Sequence, residues 1–200
     1  TTFNVTKWVV SKVEGDNVEL MSAEPTAGTV FLGGAQGYNN GVNLLNEACK
    51  AMYSKQGVGQ ARSLNLEDIE KHFTEAGKNV RDTYSGYNTQ KTYTSNTYYP
   101  AIYDEEIGGN LGKSENIENL TKEDKKQNGD LTVKQTYYNM NTNGQDYIDN
   151  EKFEEMIFGT GTWYWLASRY VDGREDYADF GLRLVECTGL NRDYLFYSYV

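Results

Sequence analysis

One aromatic run near the C-terminus limits the possible folds of this chain more than any other feature. Residues 162–167 are Thr-Trp-Tyr-Trp-Leu-Ala, a composition typical of a strand. Because the apolar residues are consecutive and do not alternate with polar ones, the strand is predicted to be buried on both faces. We expect the stretch 163–169 to be the buried middle strand of a sheet. Strands predicted over 180–185 and 194–199, with turn residues at 188–189 and 191–193, extend it into an antiparallel meander.

The N-terminal segment predicts a β-hairpin. β-branched and aromatic residues over 3–10 and an apolar segment over 18–21 flank the turn sequence Glu14-Gly15-Asp16-Asn17. After Pro25, a further short apolar strand is predicted over 29–32. Three strands are therefore expected before the first helix.

Helical periodicity begins at residue 40. Apolar residues then recur at spacings of three and four, which predicts a helix over about 40–54. A second helix is predicted to follow Asn65, whose side chain can cap it while Asp68 occupies the reciprocal capping-box position. A short helix around residues 153–157 is predicted to end at Gly159. The buried edge of the second helix is expected to contain Leu66, Ile69 and Phe73.

The centre of the chain shows neither helical nor strand periodicity. Residues 82–148 are dominated by Tyr, Thr, Asn and Ser, and only 131–140 alternates well enough to predict a strand. We predict a single domain over 1–200 that carries a long polar insertion over 82–130. The predicted fold class is α+β, with short helices packed on a mainly antiparallel sheet.

The charge balance disfavours two classes of partner. The net charge is −10, and nucleic-acid affinity comes largely from Lys and Arg that displace counterions, so no nucleic-acid partner is expected. Anionic lipid is disfavoured for the same reason, and no apolar stretch approaches the roughly 20 residues that cross a bilayer. Since Thr1 is not an initiator Met, we expect the numbering to begin inside a longer precursor, with room for a removed export signal.

Groups able to carry chemistry are few and scattered. Cys49 and Cys187 match no metal or redox spacing, and two readings stay open for them: two small buried hydrophobic residues, or a disulfide. His72, the only histidine, lies on a predicted helix, where it complements the helix dipole. We therefore predict no enzyme activity, no metal and no cofactor. A solvated loop, or alternatively a hard-cation site, is predicted for the acidic residues Asp172, Glu175, Asp176 and Asp179.

Three stretches together resemble a known group of proteins. They are residues 37–42 (Gly-Tyr-Asn-Asn-Gly-Val), residues 61–70, and residues 163–169 followed by 180–183. As a set they are similar to bacterial surface, pilin-like and prophage-encoded modules of Gram-positive anaerobes. The C-terminal half resembles C-type-lectin-like domains, including the formylglycine-generating-enzyme branch. The resemblance implies a strand-then-helix segment before a Trp-centred antiparallel sheet, and it leaves the centre of the chain unexplained.

The resemblance does not carry over the chemistry of that fold. The chain lacks the Glu-Pro-Asn or Gln-Pro-Asp loop and the Trp-Asn-Asp motif of calcium-dependent sugar binding. Cys49 and Cys187 do not reproduce the closely placed cysteine pair of the enzyme branch. Related modules continue into a strand with a Gly-Val-Arg-Pro-like ending, whereas this sequence ends at Val200. We expect the last strand to be trimmed or supplied from another source, such as a neighbouring subunit.

The loops around the meander supply the predicted contact surface. Tyr, Asn, Gly and Arg are frequent in recognition surfaces, because Tyr offers a large contact area at low entropic cost. A polar surface without a ligand is the alternative, since Tyr also favours strands. The candidate ligand-binding residues are Arg169, Tyr170, Asp172, Arg174, Asp176, Tyr177, Asn191, Arg192, Asp193, Tyr194 and Tyr197.

Three functions are consistent with these patterns. The first is a non-enzymatic extracellular ligand-binding or adhesion module on a bacterial surface or phage particle, with a cell-surface glycan or protein as its partner. The second is a structural subunit of an extracellular filament or phage particle, with neighbouring copies as partners. The third, a carboxylate-dependent glycan hydrolase, is the weakest. Its adjacent pairs, such as Glu105-Glu106 and Glu154-Glu155, would point in different directions on any regular element.

Overall fold

A computed structural model describes residues 7–26, 30–32, 34–56, 59–107, 125–186 and 189–192. Cys187 and the strand predicted over 194–199 lie outside these ranges. Residues 30–32 are not in a strand, which corrects the strand predicted over 29–32, although Leu32 is buried in the core.

The predicted N-terminal hairpin is confirmed, but its first strand extends to Glu14, beyond the predicted end at residue 10. Strands β1 (Trp8–Glu14) and β2 (Asn17–Ser22) pair antiparallel around a tight turn. Gly15 in that turn has φ +59°, a left-handed conformation that favours glycine. A bulge interrupts the register between Val10 and Lys12, so β1 holds one more residue than β2 over this stretch.

Five helices lie in the described ranges, and the first is longer than predicted. Helix α1 (Gly34–Tyr53) begins before residue 40, because packing of Tyr38, which is fully buried, outweighs the low helix propensity of the Gly- and Asn-rich start. Helix α2 (Leu66–Glu70) has the predicted capping box between Asn65 and Asp68. Helix α3 (Glu75–Asp82) was not predicted, and α5 (Glu151–Phe158) ends at Gly159 as predicted.

Phe73 is buried, but it follows α2 and does not lie on the helix. It forms an isolated bridge with Ile148 and packs in the core. Its predicted burial was therefore right, and its placement on the helix was wrong.

The polar centre of the chain contains regular structure. Helix α4 (Ala101–Ile107) and four short strands, β3 (Gln90–Tyr93), β4 (Thr97–Tyr99), β5 (Lys125–Gln127) and β6 (Leu131–Lys134), lie there. β3 pairs with β6 and β4 pairs with β5, both antiparallel. The strand predicted over 131–140 is divided into β6 and β7 (Met140–Asn141). Buried tyrosines, including Tyr93, Tyr99 and Tyr103, form the core here together with the aliphatic residues Ile102, Leu131 and Val133.

The main sheet has four antiparallel strands in the order β7-β10-β9-β8. These are β7 with β8 (Tyr164–Gly173), β9 (Ala178–Glu186) and β10 (Gly189–Arg192). The aromatic run therefore forms an edge strand and not the middle one. Trp163 precedes it and is 38% exposed. Asn191 and Arg192, predicted as a turn, belong to β10.

The outer edge of β8 is covered by two loops, which explains its burial. Ala167 N donates a hydrogen bond of 2.8 Å to Leu64 O, and Leu66 N donates one of 2.8 Å to Ser168 Oγ. Thr136 N and Tyr137 N both donate to Val171 O. Backbone groups at this edge are satisfied by loops, so the strand needs no neighbouring strand there.

Side chains of β8 and β9 alternate between two cores. Leu182 and Leu184 pack in a first core with α1, while Leu166 and Val185 pack in a second core that includes Phe153 of α5. The sheet is thus covered on both faces, as predicted for its consecutive apolar residues. The chain is an α+β protein with antiparallel sheets and few helices.

Candidate functional site

Two residues of the predicted contact surface lie inside the protein. The Arg169 side chain is 12% exposed, and its Nε donates a hydrogen bond of 2.7 Å to Tyr38 O. Its Nη1 lies 3.6 Å from Glu106 Oε1, so the guanidinium joins β8 to α1 and α4. Tyr170 is 1% exposed. The expectation that these two side chains face a partner is therefore corrected, and so is the same expectation for Asp172, which is 6% exposed.

Tyr170 belongs to a cage of tyrosines around the guanidinium of Arg183, which is completely buried. Arg183 Nη2 donates a hydrogen bond of 2.6 Å to Thr136 O, and Nη1 donates to Tyr138 O. The rings of Tyr137, Tyr138 and Tyr170 lie 5.2, 4.5 and 6.0 Å from its Cζ. Burial lowers the pKa of Arg183. These contacts hold the loop before β7 against the sheet, so Arg183 and the three tyrosines stabilise the fold.

Asn191 is hydrogen-bonded to the same region. Its Nδ2 donates a hydrogen bond of 2.7 Å to Glu186 Oε1, and its Oδ1 accepts one of 3.2 Å from Tyr137 Oη. Tyr137 in turn packs against Tyr170, with ring centroids 5.6 Å apart. Asn191 and Tyr170, which were both predicted to contact a ligand, are thus linked through Tyr137, but these contacts are internal. The backbone of Arg192 lies in β10. Asp193, Tyr194 and Tyr197 lie outside the described residues.

The turn between β8 and β9 keeps the exposed part of the predicted surface. Arg174, Asp176 and Tyr177 are exposed, and the Arg174 guanidinium lies 5.9 Å from the ring centroid of Tyr177. Arg174 Nε is 3.1 Å from Asp172 Oδ2 and 3.8 Å from Asp179 Oδ2. Asp172 is itself buried and also accepts a hydrogen bond from Gln135. The acidic loop predicted here is therefore partly neutralised by its own arginine.

A separate groove is lined by residues of the N-terminal hairpin, helix α1 and helix α5. Its volume is about 1380 Å³, which exceeds the roughly 300–1,000 Å³ of a typical small-molecule site. The β1–β2 hairpin, the second half of α1, the 60–64 loop and α5 form its walls. The lining combines apolar and polar side chains, among them Met21, Leu45, Met52, Gln60, Leu64 and Met156. A groove of this size can hold an extended chain.

The groups that line the groove include His72, Cys49 and Trp165. His72 Nδ1 lies 2.9 Å from Asp149 Oδ1, and the imidazole stacks on Phe153 at 3.9 Å between centroids. Burial raises the pKa of the free Cys49 thiol, the opposite of what activates a nucleophilic cysteine. Trp165 Nε1 is buried without a hydrogen-bond partner among the described residues. Buried donors of this kind are normally satisfied by a water or another polar group.

The hairpin beside the groove, here called the arm (Trp8–Ser22), exposes one apolar face. The bulge before Lys12 brings Val13 onto the same face as Val10, since bulged residues shift the alternation of side chains by one. The opposite face holds the charged residues Lys12, Glu14 and Glu19. The apolar face consists of Trp8, Val10, Val13, Val18 and Leu20, which are 43, 56, 65, 55 and 52% exposed.

Sequence reasoning located the hairpin but missed this face. The alternation on β2 from Val18 to Leu20 was visible, whereas β1 shows its face only once the extra residue between Val10 and Val13 is recognised as a bulge. The groove was missed because its walls come from segments far apart in the chain.

The fold and the groove define an α+β protein with a two-faced antiparallel sheet, a projecting hairpin and a concave surface beside it. Searches for similar family models, characterised proteins and solved structures found no match. None of the described helices combines the length and apolar character needed to cross a bilayer.

Proposed function

We propose that this chain is a non-enzymatic binding module, and that its ligand is an extended protein or glycan segment that lies in the groove between the arm and α1. The observation that carries the proposal is the groove itself, which is larger than a small-molecule site and is lined by both apolar and polar groups. Buried Trp165 adds an unused hydrogen-bond donor in its wall.

The same proposal includes an extracellular setting, on a bacterial surface or a phage particle, and a C-type-lectin-like arrangement of the C-terminal half. A helix before a Trp-containing antiparallel sheet supports that arrangement, since α1 packs on β8 and β9. The short-range contacts of Arg169 with the backbone of Tyr38 and Asn39 connect two of the stretches on which the resemblance rests.

The test fills the groove without altering the core. Ala51 is exposed on α1 and lines the groove, so Ala51→Trp places a large ring in the ligand's path. Wild type is first screened on a glycan array and a panel of cell-surface proteins. For a ligand found there, we expect Ala51→Trp to raise Kd at least about tenfold, equivalent to roughly 1.4 kcal/mol.

Ala76→Trp is the matched control, because Ala76 is also an exposed helical alanine but lies on α3, outside the groove lining. It should leave Kd unchanged. Unchanged binding by Ala51→Trp, together with a loss in Tyr177→Ala, would place the ligand at the β8–β9 turn and refute the groove site.

A further inference from the structure

The rest of the chain covers little of the arm. At its base, the Trp8 ring meets Tyr53 edge-on with centroids 5.5 Å apart, and nearer the turn Glu19 lies 3.9 Å from Arg62. Beyond the base, β1 and β2 are exposed along almost their whole length. An isolated two-stranded hairpin is at best marginally stable in water. An apolar face on such an arm therefore gains stability from a covering surface.

Exposed apolar residues are concentrated on this one face. Five of the ten large hydrophobic residues that are exposed in the described ranges belong to it. Single exposed apolar residues are ordinary, whereas the largest contiguous apolar patch on a protein is often a functional surface. The face also carries no charge, because Lys12, Glu14 and Glu19 all lie on the other side of the hairpin.

We propose that a second copy of this chain covers the face, with two arms packed face to face about a two-fold axis. A two-fold axis brings the same patch against itself, so an uncharged apolar face can pack against its own copy. Two chains that each carry a net charge of −10 repel each other over most of their surface. They approach at lowest electrostatic cost where the charged side chains point away from the contact, as on this face.

The size of the face sets the expected strength. Five side chains that are each about half exposed amount to a patch of a few hundred Å², within the range for a single patch on a monomer. A standard interface buries roughly 800 Å² on each partner. Free copies should therefore dimerise weakly, and neighbouring copies held on one surface or particle should do so readily because their local concentration is high. This inference goes beyond the groove ligand, although Trp8, Val18 and Leu20 of the face also line the groove.

A charge-swap experiment tests the face directly. Val13 is 65% exposed and outside the groove lining, so Val13→Lys and Val13→Glu should fold. Sedimentation equilibrium of wild type from micromolar to millimolar concentration should show a monomer–dimer equilibrium. Each variant alone should raise the dimer Kd more than about tenfold. An equal mixture of the two should associate again, since opposite charges then meet across the axis.

Asn17→Lys is the control, because it adds the same charge to the same hairpin on its polar face. It should dimerise as wild type does, and circular dichroism should show that all variants are folded. Three results would each overturn the proposal: wild type that remains monomeric at millimolar concentration, an equal loss in Asn17→Lys, or a mixture that stays monomeric. The groove proposal is unaffected by these outcomes, since Ala51→Trp tests it separately.

Discussion

At the scale of single residues, the pair of carboxylates across β8 and β9 has the clearest energetic consequence. Asp172 and Asp179 are directly opposite each other in the register. Arg174 lies nearer to Asp172 than to Asp179 and so compensates Asp172 more fully. Burial, followed by the charge of Asp172, raises the pKa of Asp179 from 3.8 to about 6. At neutral pH Asp179 is ionised in both the folded and the unfolded protein, and its raised pKa means that the ionised form destabilises the folded state.

Asp179→Asn should remove this cost. Because the folded pKa is raised, the stabilising contribution of Asp179 is fully present below about pH 3.8 and is lost as the pH rises through about 6. The free energy of unfolding of Asp179→Asn should exceed that of wild type by up to about 3 kcal/mol at pH 7, with the difference vanishing near pH 4. Urea unfolding across this range measures it.

Asp176→Asn serves as the control, since Asp176 is an exposed carboxylate in the same turn. It tests whether removing any one negative charge from this turn is enough to raise the free energy of unfolding. A difference between Asp179→Asn and wild type that does not change with pH would refute the explanation.

Residue environments of this kind could be predicted only in part. The sequence placed Arg169, Tyr170 and Asp172 near a strand end, and composition alone favoured exposure for all three. Their burial depends on partners far away in the chain, such as Tyr38 and Gln135, whose proximity no local pattern reveals. Arg174 and Tyr177, whose contacts are mostly within their own turn, are exposed as expected.

At the scale of elements, the packing of α1 on the main sheet requires a glycine. A Cβ at Gly41 would overlap the Leu182 side chain and lie 3.3 Å from Leu32. Leu182 is completely buried on β9, so it has little freedom to move aside. The close contact of helix and sheet therefore outweighs the poor helix propensity of glycine at this position.

We expect Gly41→Ala to lower the free energy of unfolding by up to about 2 kcal/mol. Overpacking costs roughly 1–3 kcal/mol, and the better helix propensity of Ala returns about 1 kcal/mol. Gly59→Ala is the control, because nothing lies within 4 Å of the added Cβ there. Its effect should stay within about 0.5 kcal/mol. Equal stability of both variants in chemical denaturation would show that α1 can move away from β9.

Elements with a local signature were the predictable ones. Three features depend on residues that are close together in the sequence. They are the hairpin turn, the capping box at Asn65 and the end of α5 at Gly159. The strand order depends instead on which edges the loops cover. The pairing of β10 with β7, and the cover of β8 by residues 64–66 and 136–137, could not be predicted from periodicity.

At the scale of the whole molecule, the two cores share the backbone of the main sheet. Leu184 of β9 packs in the first core, and its neighbour Val185 packs in the second. On β8, Trp165 and Leu166 divide in the same way. Since neither core can lose its packing while the shared strands stay in place, the described residues should unfold as one unit, in keeping with the single domain predicted from the sequence.

Matched substitutions in the two cores test this cooperativity. Leu166 in the second core and Leu184 in the first are 0 and 1% exposed, so Leu→Ala at each should cost about 2–5 kcal/mol. Both variants should show one transition, at lower denaturant than wild type, that coincides by tryptophan fluorescence and far-UV circular dichroism. If one variant instead separated the two signals into two steps, the cores would be independent units. The shared strands β8 and β9 would then not couple the groove to the rest of the fold.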